Sequence, residues 1–287
     1  MKLMESTTMN RFLYLLTATI LIVTGLAASP MANAFSITQN GDPQALIQAL
    51  LGPGATVIGT PKLIGTATGA GLFSDGAAAI GIDSGIVFSS GSATCAVGTN
   101  ERQQAETLGR PSPGSFSNNC NGGNGGPSVP DIANSDDASG LEFQFQLGDG
   151  SQSGTVFVSY VFGSDEYIDF VGSGFNDAFV FSLDGTNIAT IVDPFFGFPL
   201  DVNVALINPN DNSHLYRNNI ANTNGFPVVN AGHRLDGFTT VLTARADIGP
   251  GVHTMRMVIA DVRDSALDSV VFLQGGSFFN AASYNVP

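Results

Sequence analysis

Residues 155–183 set the terms for the whole chain. Thr155 to Phe162 (TVFVSYVF) is apolar on both faces, with Val156, Val158, Tyr160 and Phe162 on one and Phe157 and Val161 on the other. Side chains alternate along a strand, so a strand apolar on both sides needs a covering layer on each face. Phe179, Phe181 and Leu183 then mark one face of the next strand. The connection between them, GSDEYIDFVGSGFND, carries Asp165, Glu166, Asp169 and Asp177. Asp165 and Glu166 come directly off the first strand, and Asp177 leads directly into the second. These three carboxylates are therefore pinned to the rim of a core, whereas Asp169, mid-loop beside Phe170, is expected to be dispensable.

A second acidic cluster, Asp261, Asp264 and Asp268, lies near the C-terminus between two further strand-like runs. His253 to Ala260 alternates, with Met255, Met257 and Ile259 on one face, and Asp268 opens the run to Phe278. Carboxylates that converge at strand ends repel one another unless something neutralises them. The one nearby base is Arg263. If the two clusters meet, a Ca²⁺ ion would balance them, because it takes six to eight carboxylate, carbonyl and water oxygens at about 2.3–2.6 Å. Asp165, Glu166, Asp177, Asp261, Asp264 and Asp268 are the expected ligands. Zn²⁺ does not fit, for want of His and Cys at ligand spacing. The plainer alternative is two separate solvated turns, each Asp capping backbone N–H groups. Overall, 24 acidic residues face 10 basic ones, a net charge of −14. That excess argues against nucleic-acid and anionic-membrane partners.

The remainder reads as β-structure. Thr56–Gly59, Leu72-Phe73, Ser84–Ser90, Leu141–Leu147, Asn187–Val192, Asp201–Ile207 and Phe238–Ala244 are strand-like, and Asp184-Gly185 is a hairpin turn. One helix is expected at residues 43–51, with Asp42 as N-cap, Pro43 at the first helical position and Gly52-Pro53-Gly54 as the stop. About ten strands with no αβ alternation predict an all-β fold, an antiparallel β-sandwich of jelly-roll type with one short N-terminal helix. Residues 91–139 form a long loop insert, read as a decoration of the domain. Its NGGNGG run lacks the Lys and the strand-to-helix junction of a phosphate loop.

The N-terminus reads as a targeting segment: Arg11, an apolar run from Phe12 to Leu26, then the small-x-small triplet Ala32-Asn33-Ala34. Residues 1–34 are the expected signal peptide, and residues 35–287 one domain. No second long apolar run follows, so no membrane insertion is expected after cleavage. In an oxidising compartment, Cys95 and Cys120 are expected to form a disulfide.

Two stretches carry a family resemblance. FGSDEYIDFVGSGFNDAFVFSLDG at Phe162–Gly185 and IADVRDSALDSVVFLQGGSF at Ile259–Phe278 resemble the signature and closing motif of the choice-of-anchor L domain of exported bacterial proteins. Asp236-Gly237-Phe238-Thr239, Gly249–His253 and GIVFSSG at Gly85–Gly91 are similar to it as well. The resemblance implies a β-sandwich module of surface and secreted proteins, followed in its relatives by varied C-terminal anchors such as PEP-CTERM-type tails; no such tail is expected from residues 279–287, which leaves a truncated sequence or free secretion as the two explanations. The expected role is non-catalytic: a calcium-stabilised protein of cell-surface structure, adhesion or matrix, whose partner is a surface or matrix component or a glycan. A lectin-like module is the alternative, weakened by the absence of Trp and a total of five Tyr. A glycoside hydrolase pairing Asp165 or Glu166 with Asp261 is the third reading.

Overall fold

The structure is a computed structural model, and it describes residues 34–100, 124–220, 229 and 232–280. Among these residues the chain forms sixteen strands. In order they are β1 (Ser36–Gln39), β2 (Ala55–Ile64), β3 (Ala70–Ser74), β4 (Gly85–Ser89), β5 (Ser135–Leu147), β6 (Gly154–Ser164), β7 (Ala178–Leu183) and β8 (Thr186–Asn187). Then come β9 (Thr190–Val192), β10 (Pro199–Asn203), β11 (Tyr216–Asn218), β12 (Gly237–Thr239), β13 (Leu242–Ile248), β14 (His253–Val262), β15 (Ser269–Gln274) and β16 (Phe279–Asn280). They make two sheets. The first runs β1-β3-β4-β15-β6-β12-β11, with β13 and β16 also on β6. The second runs β2-β5-β14-β7-β10-β9, with β8 on β7. All strand pairs among the described residues are antiparallel.

The all-β sandwich expected from the sequence is present. Jelly-roll winding is a finer description than these sheet orders establish. The main core lies between the sheets and holds Val156, Val158, Tyr160 and Phe162 of β6 together with Phe143 and Phe145 of β5, Phe179 and Phe181 of β7, and Met255, Met257 and Ile259 of β14. The second face of β6 also finds cover. Val161 joins Phe73, Val87, Phe238, Val270 and Phe272 in a smaller cluster outside the first sheet. The doubly apolar strand is thus central, with β15 and β16 on one side and β12 and β13 on the other.

The helix α1 (Pro43–Leu50) starts as expected, Asp42 accepting a hydrogen bond from the Gln44 N–H at 3.0 Å. Its buried Leu46, Ile47 and Leu50 enter the main core, and its end bonds to residues 276–278, closing one end of the sandwich. A single-turn helix, α2 (Ala77–Ile80), was not expected; Gly81 ends it at φ 81°, a conformation that glycine adopts freely. Two boundaries also differ. Phe238–Ala244 breaks into β12 and β13 at Thr240-Val241, and Asn187–Val192 breaks into β8 and β9. The insert is shorter than expected, because β5 begins at Ser135. Its last described part is more than decoration, since Val129 and Ile132 pack with Ala138, Val258 and Ala260 over the outer face of the second sheet. Among the described residues no helix is long and apolar enough to cross a membrane.

Candidate functional site

Two connections pass from sheet to sheet at one rim of the sandwich. The first leaves β6 in one sheet and enters β7 in the other; the second leaves β14 and returns to β15. They run side by side because their strands are neighbours at both ends. Ser164 of β6 pairs with Ser269 of β15, and Ala178 of β7 pairs with Ala260 of β14. Asp165 follows Ser164 and Asp268 precedes Ser269, while Asp177 precedes Ala178 and Asp261 follows Ala260. By standard strand and sheet spacings, these four residues mark the corners of a figure about 5 Å by about 10 Å. The two clusters, nearly a hundred residues apart in sequence, form one site.

Hydrogen bonds tie the corners together. The Asp165 N–H donates to the Asp268 carbonyl at 3.1 Å. Asp177 links the sheets: its Oδ2 accepts from the Ser269 hydroxyl at 2.8 Å, and its Oδ1 from the Val262 N–H at 3.0 Å. Asp165, Glu166, Asp177, Asp261 and Asp268 are all buried. Asp261 is 0% exposed, and neither of its carboxylate oxygens has a hydrogen-bond partner; Glu166 Oε2 has none either. Ser90 stands near Asp261 but donates its hydroxyl proton to the Ser269 carbonyl at 3.3 Å. A bond between Asp177 and Asp261 needs a proton on one of them. Among the described residues no salt bridge reaches Asp165, Glu166, Asp177 or Asp261.

The electrostatic consequences follow. Burial, then the charges of Asp236 and Asp268, push Asp165 well above the carboxylate range. Burial and then Asp177 do the same to Asp261. Glu166 is raised to about 9, by burial first and then by Asp177, Asp264 and Asp169. Asp177, whose hydrogen bonds offset part of its burial, rises to about 7. Burial is thus the first cause that raises each of these four carboxyls. Arg263 does not supply a counter-charge, since it is exposed and its guanidinium lies against Gly174 on the neighbouring crossover.

Asp264 is half-buried and caps its own turn, accepting from the Ala266 N–H at 3.2 Å. It stands at the margin of the site, and its charge reaches Glu166 and Asp177. Asp169 is exposed. Sequence reading missed several members. Asp236 is buried, donates its N–H to Asp165 Oδ1 at 3.2 Å and accepts from Asn100 Nδ2 at 2.7 Å. Like Asp177, it is an acid directly before a buried strand, and that pattern identifies it in the sequence. Asp137 lies in a β-bulge where β5 shifts register against Asp261, with φ 48°. Nothing in the sequence marks that bulge. Asn124 clamps the same corner, its Nδ2 bonding the carbonyls of Ser89 and Asp137 at 2.8 Å each. Gly91 is obligatory here, since a Cβ on it would stand 2.1 Å from Asp268 Oδ2.

The donor set is all oxygen, which suits a hard cation of the Ca²⁺ type. Among the described residues no group of three His, Cys, Asp or Glu side chains stands in ready-made ligand geometry. Cys120 lies outside the described residues, as does residues 1–33 of the expected signal peptide.

Sandwich, paired crossovers and acidic rim together define an all-β sandwich module. The chain belongs to the Choice-of-anchor L domain family, whose model it matches over residues 35–279. The family implies an exported bacterial surface protein. No curated protein and no solved structure matches the chain.

Proposed function

We propose that this protein is a calcium-stabilised structural module of the bacterial cell surface or its matrix, acting in adhesion or assembly rather than catalysis. The observation that carries the calcium reading is Asp261, fully buried with two unpartnered oxygens at a corner where the rim's other acids converge. A buried ionised carboxylate without a partner costs on the order of several kcal/mol, so the fold needs a counter-charge there. Asp261 and Glu166 offer free oxygens. Asp165, Asp177 and Asp268 surround them, and Asp264 sits outermost; backbone carbonyls and water complete a Ca²⁺ shell. The same burial weighs against glycoside hydrolysis, which needs its acid pair open to substrate.

Thermal unfolding at pH 8 with millimolar Ca²⁺ and with chelator tests the reading. Calcium should raise the midpoint by several degrees, and the rise should vanish in Asp261→Asn. An identical midpoint in both conditions would end the calcium reading and leave shared protons as the counter-charge. The Cys95–Cys120 disulfide belongs to the same proposal; in the chain-entropy picture it contributes about 3 kcal/mol. Mass spectrometry of the unreduced protein should show the cross-linked peptide, and a free thiol at Cys95 would remove it.

A carbohydrate-binding role is the second reading. It has one observation in its favour: a cavity of about 350 Å³ lined by Asp131, Asn176, Asp201 and Asn203 beside Val262, on the rim side of the second sheet. Binding on a glycan array, lost on Asn203→Leu, would favour it over a purely structural role.

A further inference from the structure

The largest exposed apolar side chains gather on one hairpin. Between β9 and β10 the chain turns through Asp193-Pro194-Phe195-Phe196-Gly197-Phe198, with Phe195 88%, Phe196 79% and Val192 70% exposed. The turn is tightly built. Asp193 Oδ1 accepts from the N–H groups of Phe195 and Phe196 at 2.8 and 2.7 Å, and its backbone bonds Gly197 and Phe198. Phe196 and Phe198 stack with centroids 5.9 Å apart and planes 11° apart. Aromatic side chains fixed in position and left in water are the kind of anchor that dominates protein interfaces.

Among the described residues the strand beside the tip is an open edge. β9 ends the second sheet. The Asp193 N–H points back to the Phe198 carbonyl, so strand alternation turns the N–H of Val192 away from β10. Val192 faces Pro199 in register, and proline has no N–H to offer it. Thr190-Ile191-Val192 carries neither the Lys nor the Pro that blunts many natural edges. Charge narrows the occupant. From Gly185 to Leu215 there is no Lys or Arg, while Asp193, Asp201 and Asp211 are present, and the whole chain stands at −14. A second copy meets like charge, and the tip offers only about 500 Å², below the ~800 Å² per partner of a standard interface. An anionic bilayer is repelled as well.

We propose that the β9 edge and its phenylalanine tip dock an extended, cationic and apolar strand of a partner protein by strand addition. The partner backbone pairs with Val192, its apolar side chains pack on Phe195 and Phe196, and its Lys or Arg face the acidic flank. This proposal is independent of the acidic rim, because β10 runs from the tip at Pro199 away to the rim end at Asn203.

The test uses a fluorescein-labelled octapeptide alternating Lys and Val, its Glu–Val counterpart, neutral phosphatidylcholine vesicles and light scattering for self-association, all at 0.15 M salt. The Lys–Val peptide should bind saturably and the Glu–Val peptide should not. Affinity should fall at least tenfold in Phe195→Ser/Phe196→Ser and, separately, in Val192→Pro, each variant melting at the wild-type temperature. No saturable binding of the Lys–Val peptide, or wild-type affinity in either variant, overturns the proposal. Phenylalanine-dependent vesicle binding overturns it in favour of a bilayer, and phenylalanine-dependent dimers in favour of a second copy.

Discussion

Aspartates sit at both ends of the β7–β14 pair, and the two ends treat them oppositely. At the turn, Asp184 is half-exposed and fully engaged: Oδ1 accepts from the Thr254 N–H at 2.8 Å, and Oδ2 meets His253 Nδ1 at 2.7 Å. His253 Nε2 faces the Gly249 carbonyl at 3.0 Å, so both ring nitrogens meet acceptors, an arrangement that favours the doubly protonated ring. Partial burial alone would raise Asp184, but the bonds to His253 and Thr254 outweigh it and the pKa is lowered. His253 is raised by Asp184 and Gly249 against the opposing pull of burial. At the rim, Asp261 has the same strand-end position, no bonded partner and a strongly raised pKa. Strand position therefore does not decide what an aspartate does. The supply of partners at a given depth decides it, and among the described residues no salt bridge reaches the Asp261 carboxylate.

The sharpest way to break this contrast is Asp261→Asn. In chelator at pH 8 it should stabilise the fold, by on the order of 3 kcal/mol, because it removes a buried charge. In calcium it should destabilise relative to wild type, because it removes a ligand. A substitution that is neutral in both media would show that the rim carries no charge problem. The pH profile of the chelated protein comes next. Folded Asp177 and Glu166 titrate near 7 and 9, above their ordinary 3.8 and 4.5. Groups raised on folding hold their protons longer in the native state. Stability is therefore fully present at about pH 4 and is lost as pH climbs through 7 towards 9. Calorimetry should find that loss, and calcium should cancel it at the alkaline end. Gly91→Ala should cost about 1–3 kcal/mol by denaturant titration, since its Cβ collides with the Asp268 carboxylate. The smallest effect belongs to the turn. Asp184→Asn should cost less than about 1 kcal/mol, as exposed ion pairs do. Its cost should be greatest between the two titrations. The Asp184 contribution falls away below pH 3.8, and the His253 contribution is lost as pH rises past 6.5 through its raised native value.

The sequence disclosed what depends on local pattern. The two-faced apolar run of β6 required a buried central strand, and Asp42-Pro43 marked the helix start to the residue. The acids at strand ends were found for the same reason, because each adjoins a run of alternating apolar residues. Their convergence was less legible: it depends on β6 pairing with β15 and β7 with β14, contacts between segments about a hundred residues apart. Asp236 shared the pattern and was passed over as part of a turn. Asp137 was hidden by a bulge that only the partner strand creates. The phenylalanine tip read as an ordinary loop, because alternation reports which residues a strand buries and says nothing about which a turn exposes.

The sheet order also has a consequence for the time course of folding. β14 lies between β5 and β7, and β15 between β4 and β6, so the middle strand of one sheet and an inner strand of the other come from the last stretch of the described chain. Contacts between distant segments form slowly, because a long loop must close before any of them is made. As the polypeptide emerges from its N-terminal end, neither layer can close until residues 253–274 arrive. Until then β4, β5, β6 and β7 are left as raw edges. A polypeptide halted before His253 is thus not a smaller version of this domain but four separated part-sheets, two from each layer, prone to aggregate and open to proteolysis.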